Sequence, residues 1–105
     1  MIYYFKDKIG KLVISSLILY TVKLPSRNLG VIDEVQTLES FRKQGRSRKL
    51  LSRAIEKAKK LGLDCLELNV RDDNKIAQDF YLSMGFFDRT NRAYRLKFKE
   101  IKKWH

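Results

Sequence analysis

The run Leu12–Leu24, LVISSLILYTVKL, restricts the fold more than any other part of the chain. Apolar or β-branched side chains fill nearly every position, and a strand of that kind is buried on both faces. Each face then needs a covering layer. Ser15, Ser16 and Thr21 interrupt the run, and it is too short to span a bilayer, so the protein must supply those layers itself. A chain of 105 residues has room for one domain, residues 1–105, with thin layers.

The flanking segments provide the remaining elements. Ile2–Phe5 is β-rich, and Lys8-Ile9-Gly10-Lys11 reads as the turn of a front hairpin. After Pro25-Ser26-Arg27-Asn28, Gly30–Thr37 is a third strand. Leu50, Leu51, Ala54, Ile55, Ala58 and Leu61 then form one apolar stripe at helical period, with Lys49, Arg53, Glu56, Lys57 and Lys60 on the other side and Gly62 as the stop. Cys65–Val70 reads as a strand. Asp72 or Asp73 is expected to cap a second helix, with the stripe Ile76, Ala77, Phe80, Tyr81 and Met84 closed by Gly85. Phe86-Phe87 and Ala93–Phe98 around Asp88–Arg92 suggest a closing hairpin. The order β-β-β-α-β-α-β-β implies an α/β sandwich with a mixed sheet.

Charge narrows the function. The chain has 23 Lys and Arg against 12 Asp and Glu, a formal +11. The excess sits in two blocks, +7 over residues 38–60 and +6 over 89–105, a pattern that points to polyanion contact. One cysteine, Cys65, excludes an internal disulfide and a multi-cysteine metal site, and fits a reducing compartment. With no secretion signal at Met1, a cytoplasmic protein is expected. His105 is terminal, no His/Cys/Asp cluster has metal-ligand spacing, and no Walker or dinucleotide loop is present.

The junction Arg42-Lys43-Gln44-Gly45-Arg46-Ser47-Arg48 carries the clearest chemistry. A strand ends, a basic loop with one glycine follows, and a long helix begins. A helix N-terminus presents unpaired N–H groups and a partial positive charge, which suits a phosphate or pyrophosphate. The competing account is a solvated basic turn.

Two motifs in series bring a family into view. Arg42-x-x-Gly45-x-Ser47 after a strand resembles the acyl-CoA pyrophosphate loop of the GNAT superfamily of N-acetyltransferases. Asn74-x-x-Ala77-x-x-Phe80-Tyr81-x-x-x-Gly85-Phe86 resembles that family's second signature. The resemblance runs from about Ile2 to Phe98. It implies a GNAT-like three-layer α/β sandwich with a largely antiparallel central sheet. Ser47 stands where a glycine or alanine is usual; its hydroxyl could crowd the phosphates or donate to one.

The resemblance also implies roles. Acetyl-CoA would be the acyl donor, its pyrophosphate held by Arg42, Lys43 and the loop amides of Gln44, Gly45, Arg46, Ser47 and Arg48. The strand Ile32–Thr37 would splay from Cys65–Val70, with main-chain groups at Val35, Gln36 and Thr37 on the pantetheine. Asn74 and Phe80 would contact the cofactor, and Tyr81 would protonate the departing thiolate. Acyl transfer to an amine also needs a base. Glu34 is the best candidate, with Asp33 beside it on the opposite face of the strand; the period of 2 leaves open which of the two faces the cleft, and an ion pair with Lys or Arg at the strand edge competes for either. Core packing competes for Tyr81, and a helix cap for Asn74. The chain lacks the strand and two helices with which family members normally begin. That leaves an open acceptor side and an exposed edge at Ile2–Phe5, where a homodimer could form. The expected activity is acetyl transfer to a primary amine on a protein or peptide, an acidic or nucleic-acid-associated acceptor, with no membrane partner. An acyl-CoA-binding regulator and a basic nucleic-acid-binding module are the alternatives. For the last, the helix face Lys49, Arg53, Lys57 and Lys60 and the residues Arg95, Lys97, Lys99, Lys102 and Lys103, running into the basic tail 99–105, are the evidence.

Overall fold

In the computed structural model, which describes residues 1–102, the apolar run is the second strand of a four-stranded sheet. The strands are β1 (Ile2–Ile9), β2 (Leu12–Lys23), β3 (Asn28–Thr37) and β4 (Cys65–Glu67), in spatial order β1-β2-β3-β4. Pairing is antiparallel except for β3 with β4, so the sheet is mixed and largely antiparallel, as expected. A 3-10 turn at Glu39–Phe41 leads to helix α1 (Arg46–Lys60), and α2 (Lys75–Ser83) follows β4. The chain divides into two compact units, Met1–Leu68 and Asn69–His105.

In the first unit, directly opposed residues share a face of the sheet. Tyr3 pairs with Leu19, Phe5 with Leu17, and Leu19 with Ile32. The Lys57 ammonium lies over the Tyr3 ring and the Arg53 guanidinium over the Phe5 ring, so α1 packs on this face. Leu17, Leu19 and Ile32 are buried there, with Leu50, Leu51, Ala54 and Ala58 of the helical stripe. Lys57, Lys59 and Lys60 in the last turn suit the negative end of the helix dipole. On the other face Ile18, Tyr20 and Val22 are half-buried, so β2 is covered more fully on its helix side.

At Gly30, β3 leaves no room for a side chain. A Cβ there would meet Leu66 Cδ2 at 2.6 Å, Leu63 Cδ1 at 2.8 Å and Leu19 Cδ1 at 3.1 Å. Gly30→Val improves intrinsic strand preference yet overpacks this point, and is expected to lower stability by about 2 kcal/mol in urea unfolding. Trimming Leu66→Ala in the same chain should restore part of the loss, a non-additivity expected only of residues in contact.

β4 is shorter than the expected Cys65–Val70. Its ladder with β3 covers only Leu29–Val31 against Cys65–Glu67, and a strand lasts only as far as its pairing. Cys65 is half-buried.

In the second unit, α2 is capped by Asn74, not by Asp72 or Asp73. Asn74 Oδ1 accepts the Ala77 N–H at 3.1 Å, while Asp73 pairs with Arg71 at 2.9 Å and the Asp72 carbonyl accepts from Gln78. Gly85, at φ 99°, ends the last turn. Ile76 leaves the expected stripe and is 81% exposed. The closing hairpin is also absent: no strand occurs among residues 86–102. Asp88 Oδ1 accepts the Thr90 N–H at 2.7 Å, a contact local to this segment. The alternation of Tyr94, Leu96 and Phe98 with Arg95 and Lys97 finds no ladder partner, and those three side chains are 79–89% exposed. Within the basic tail Lys97 pairs with Glu100; residues 103–105, including His105, lie outside the described residues.

Candidate functional site

The loop between β3 and α1 sets an uncapped helix start among basic side chains. Gly45 holds the N-cap position at φ 75°, a left-handed conformation that glycine adopts without steric cost, and Lys43 is left-handed at φ 64°. No side chain caps α1, and its first turn carries no acidic residue. The amides of Arg46, Ser47 and Arg48 therefore open the helix without an intrahelical acceptor. Arg42, Lys43 and Arg48 are exposed around them. A pyrophosphate fits this set: donors, positive charge, and open space beside Gly45 with no atom within 4 Å of a would-be Cβ.

Two basic side chains of the loop are also structural. Arg46 reaches Asp7 Oδ2 of β1 at 3.2 Å and Gln44 Oε1 at 3.0 Å, and lies 5.4 Å from the Phe41 ring centroid. Its guanidinium thus ties the loop to the first strand, leaving its backbone N–H at the helix start. Arg42 Nε donates to the Thr37 carbonyl at 3.2 Å and so fixes the end of β3.

Ser47 is part of a chain of three hydroxyls. Ser15 Oγ donates to the Gln36 carbonyl at 3.2 Å and lies 2.8 Å from Thr37 Oγ1, which lies 2.7 Å from Ser47 Oγ. Each hydroxyl has one proton. With the Ser15 proton on Gln36, Thr37 donates to Ser15 and Ser47 donates to Thr37. The Ser47 proton is spent inside the fold, so this residue offers a ligand its backbone N–H rather than its hydroxyl. Ser15, 2% exposed, and Asp7 join this region only through contacts between residues far apart in sequence. The available signal was a serine pair inside an apolar strand.

β3 changes geometry where the candidate base lies. Between the pairs Ser16↔Gln36 and Ile18↔Asp33, β3 carries one residue more than β2. This bulge contains Glu34 at φ 54°, a conformation costing a non-glycine residue about 1 kcal/mol. Asp33 Oδ1 accepts the Glu34 N–H at 2.7 Å and holds the bulge. Asp33 thus has a local structural task, whereas Glu34 is exposed and has no ion pair among the described residues. Past Val31↔Glu67 the ladder ends, leaving Ile32–Thr37, with Val35, Gln36 and Thr37, unpaired on the β4 side.

Asn74, Phe80 and Tyr81 lie in the second unit. Asn74 Oδ1 is occupied by the cap, which leaves its amide N–H₂ for other contacts. Tyr81 is half-buried, its ring 5.2 Å from Phe80 and 5.8 Å from Phe86 in an edge-on arrangement. Burial raises its phenol above the ordinary value of 10.0, so Tyr81 is a proton donor rather than a base at neutral pH. Among the described residues no His/Cys/Asp/Glu group could hold a metal ion, and no helix is long and apolar enough to cross a membrane.

Comparison with known proteins bears on the family and the fold. The family described as acetyltransferase (GNAT) matches residues 3–86. Among solved structures, a transcriptional regulator from Bacillus halodurans C-125 superposes with a TM-score of 0.85 at 22% identity, over 92% of this chain and 66% of that one. AAC(6')-Iy, in complex with the bisubstrate analogue CoA-S-monomethyl-acetylneamine, gives 0.77 at 17%, over 91% and 69%. Ribosomal-protein-alanine N-acetyltransferase from Brucella melitensis biovar Abortus 2308 gives 0.76 at 16%, over 92% and 71%. At such identities the likeness is one of fold, and the chain spans about two thirds of the length of these structures. No curated protein matches it. With the family matched across most of its length, this chain belongs to the GNAT acetyltransferases, enzymes that use acetyl-CoA as acyl donor.

Proposed function

We propose that the chain transfers the acetyl group of acetyl-CoA directly to a primary amine on a protein or peptide, in a ternary complex. The start of α1 carries this reading: an uncapped N-terminus with Gly45 at φ 75°, no carboxylate in its first turn, and Arg42, Lys43 and Arg48 around it. Main-chain groups of Val35, Gln36 and Thr37 hold the pantetheine and polarise the thioester carbonyl. Glu34 takes a proton from the acceptor amine, the C–N bond forms, the C–S bond breaks, and Tyr81 protonates the thiolate. Solvent resets both groups. One solved relative bears the name ribosomal-protein-alanine N-acetyltransferase, which supports an acceptor amine on a protein. The test is CoA thiol release on mixing the chain with acetyl-CoA and peptides bearing a free amine. Release that depends on the peptide is expected. Tight acetyl-CoA binding with no release on any amine would make the chain an acyl-CoA-binding protein instead.

A further inference from the structure

The first turn of α1 is tied to a polar row that crosses the sheet. Ser15 of β2 pairs with Asp7 of β1 on one side and with Thr37 of β3 on the other. The first two residues of α1 each hold one end of this row. Arg46 Nη1 donates to Asp7 Oδ2 at 3.2 Å, and Ser47 Oγ lies 2.7 Å from Thr37 Oγ1. Ser15 stands at the centre, 2.8 Å from Thr37 Oγ1, with its proton on the Gln36 carbonyl at 3.2 Å. It is 2% exposed, in a strand whose other buried residues, Ile14, Leu17 and Leu19, are apolar. The helix side of β2 carries Leu19, Leu17 and then Ser15, so that face turns polar where α1 begins. Burying a hydroxyl is unfavourable unless its hydrogen bonds are made, and here they are.

We propose that Ser15 is a positioning residue for acetyl-CoA, acting through Thr37 and Ser47. The inference rests on the acetyl-CoA site proposed above. The two halves of that site lie on different elements. α1 offers the amides of Arg46, Ser47 and Arg48 to the pyrophosphate, and the end of β3 offers Val35, Gln36 and Thr37 to the pantetheine. One ligand spans both, so the separation between them must match its length. Ten residues lie along the chain from Thr37 to Ser47, and the hydroxyl contact closes that loop directly. Ser15 anchors the contact in the buried sheet. Holding the separation before the ligand arrives removes an ordering cost from binding. Ser47 thereby has a task that a glycine or alanine in its place could not perform.

Calorimetric titration of the full chain with acetyl-CoA tests the proposal, at a temperature well below every variant's thermal midpoint. Ser15→Ala and Thr37→Val each remove one hydroxyl, and each is expected to weaken binding about fivefold. Thr37→Ser, which keeps the hydroxyl, should restore most of the loss seen in Thr37→Val. Ser47→Ala is also expected to weaken binding about fivefold, whereas a hydroxyl that merely crowded the phosphates would make the same change tighten it. The double variant Ser15→Ala, Ser47→Ala should lose about fivefold rather than about twenty-five-fold, because both substitutions break one chain. Ile14→Val, beside Ser15 and 1% exposed, controls for packing: its thermal midpoint should fall and its affinity should not. Thr37 and Ser47 are only half-buried, so their variants decide the matter even if Ser15→Ala does not fold. Acetyl-CoA that fails to bind the wild type would overturn the site and this inference together. With a wild type that binds, three results would overturn the positioning role alone. These are unchanged or tighter binding in Thr37→Val and Ser47→Ala, full additivity in the double variant, or an equal loss in Ile14→Val.

Discussion

Gly45→Asp is expected to abolish acetyl-CoA binding while leaving the chain folded. The two consequences separate because they arise from different physics. No atom lies within 4 Å of a would-be Cβ at Gly45, so the substitution meets no clash and costs only the left-handed backbone at φ 75°, about 1 kcal/mol. A carboxylate at the positive end of α1 repays part of that through the helix dipole. The same carboxylate stands where the pyrophosphate must approach the amides of Arg46, Ser47 and Arg48. It competes for their hydrogen bonds and repels the ligand's charge. Calorimetric titration should show affinity reduced by at least about a hundredfold, with little change in thermal midpoint. Wild-type affinity in the variant would remove the loop from the binding site and with it the proposed function.

Glu34→Gln is expected to lower kcat about a hundredfold or more with KM for acetyl-CoA nearly unchanged, as loss of a general base does. The bulge makes the comparison with Asp33 informative. Asp33→Asn keeps an acceptor oxygen for the Glu34 N–H, now at 2.7 Å, so it preserves the bulge and should leave kcat within a few-fold. A large loss in Asp33→Asn with none in Glu34→Gln would exchange the two roles. Tyr81→Phe completes the series. Burial raises its phenol above 10.0, so the proton for the thiolate remains in place up to at least that pH. Removing the hydroxyl should depress kcat at every pH below it. The wild-type rate should not fall from phenol ionisation in the neutral range. A variant as fast as wild type would make Tyr81 a packing residue beside Phe80 and Phe86.

Several parts of this arrangement were legible without coordinates. Of the stripe Leu50, Leu51, Ala54, Ile55, Ala58 and Leu61, Leu50, Leu51, Ala54 and Ala58 are buried as its period required, while Ile55 is half-buried and Leu61, at the C-cap, is 38% exposed. The glycine loop opens α1, and the front hairpin turns at Gly10. Each is a local pattern: the side chains repeat at the period of the element that buries them, or glycine stands where the backbone turns. Other expectations failed for a common reason. Asp72 and Asp73 were as good a cap as Asn74 by composition, but only the backbone path decides which oxygen reaches the Ala77 N–H. Residues 93–98 alternate like a strand, yet alternation supplies no ladder.

Periodicity along the chain was enough to determine which residues form β2 and α1, and two spaced motifs pointed to the family. Contacts between residues far apart in sequence decided the rest. The extra residue of β3 put Glu34 in a left-handed bulge and gave Asp33 the task of holding it. Packing across the sheet joined Ser15, Thr37 and Ser47 into one hydroxyl chain and tied Arg46 to Asp7. Packing of α1 on the sheet set the Arg53 and Lys57 side chains over the Phe5 and Tyr3 rings. A sequence records the preferences of each segment, whereas register, bulges and hydrogen-bond direction belong to pairs of segments and exist only once both are in place.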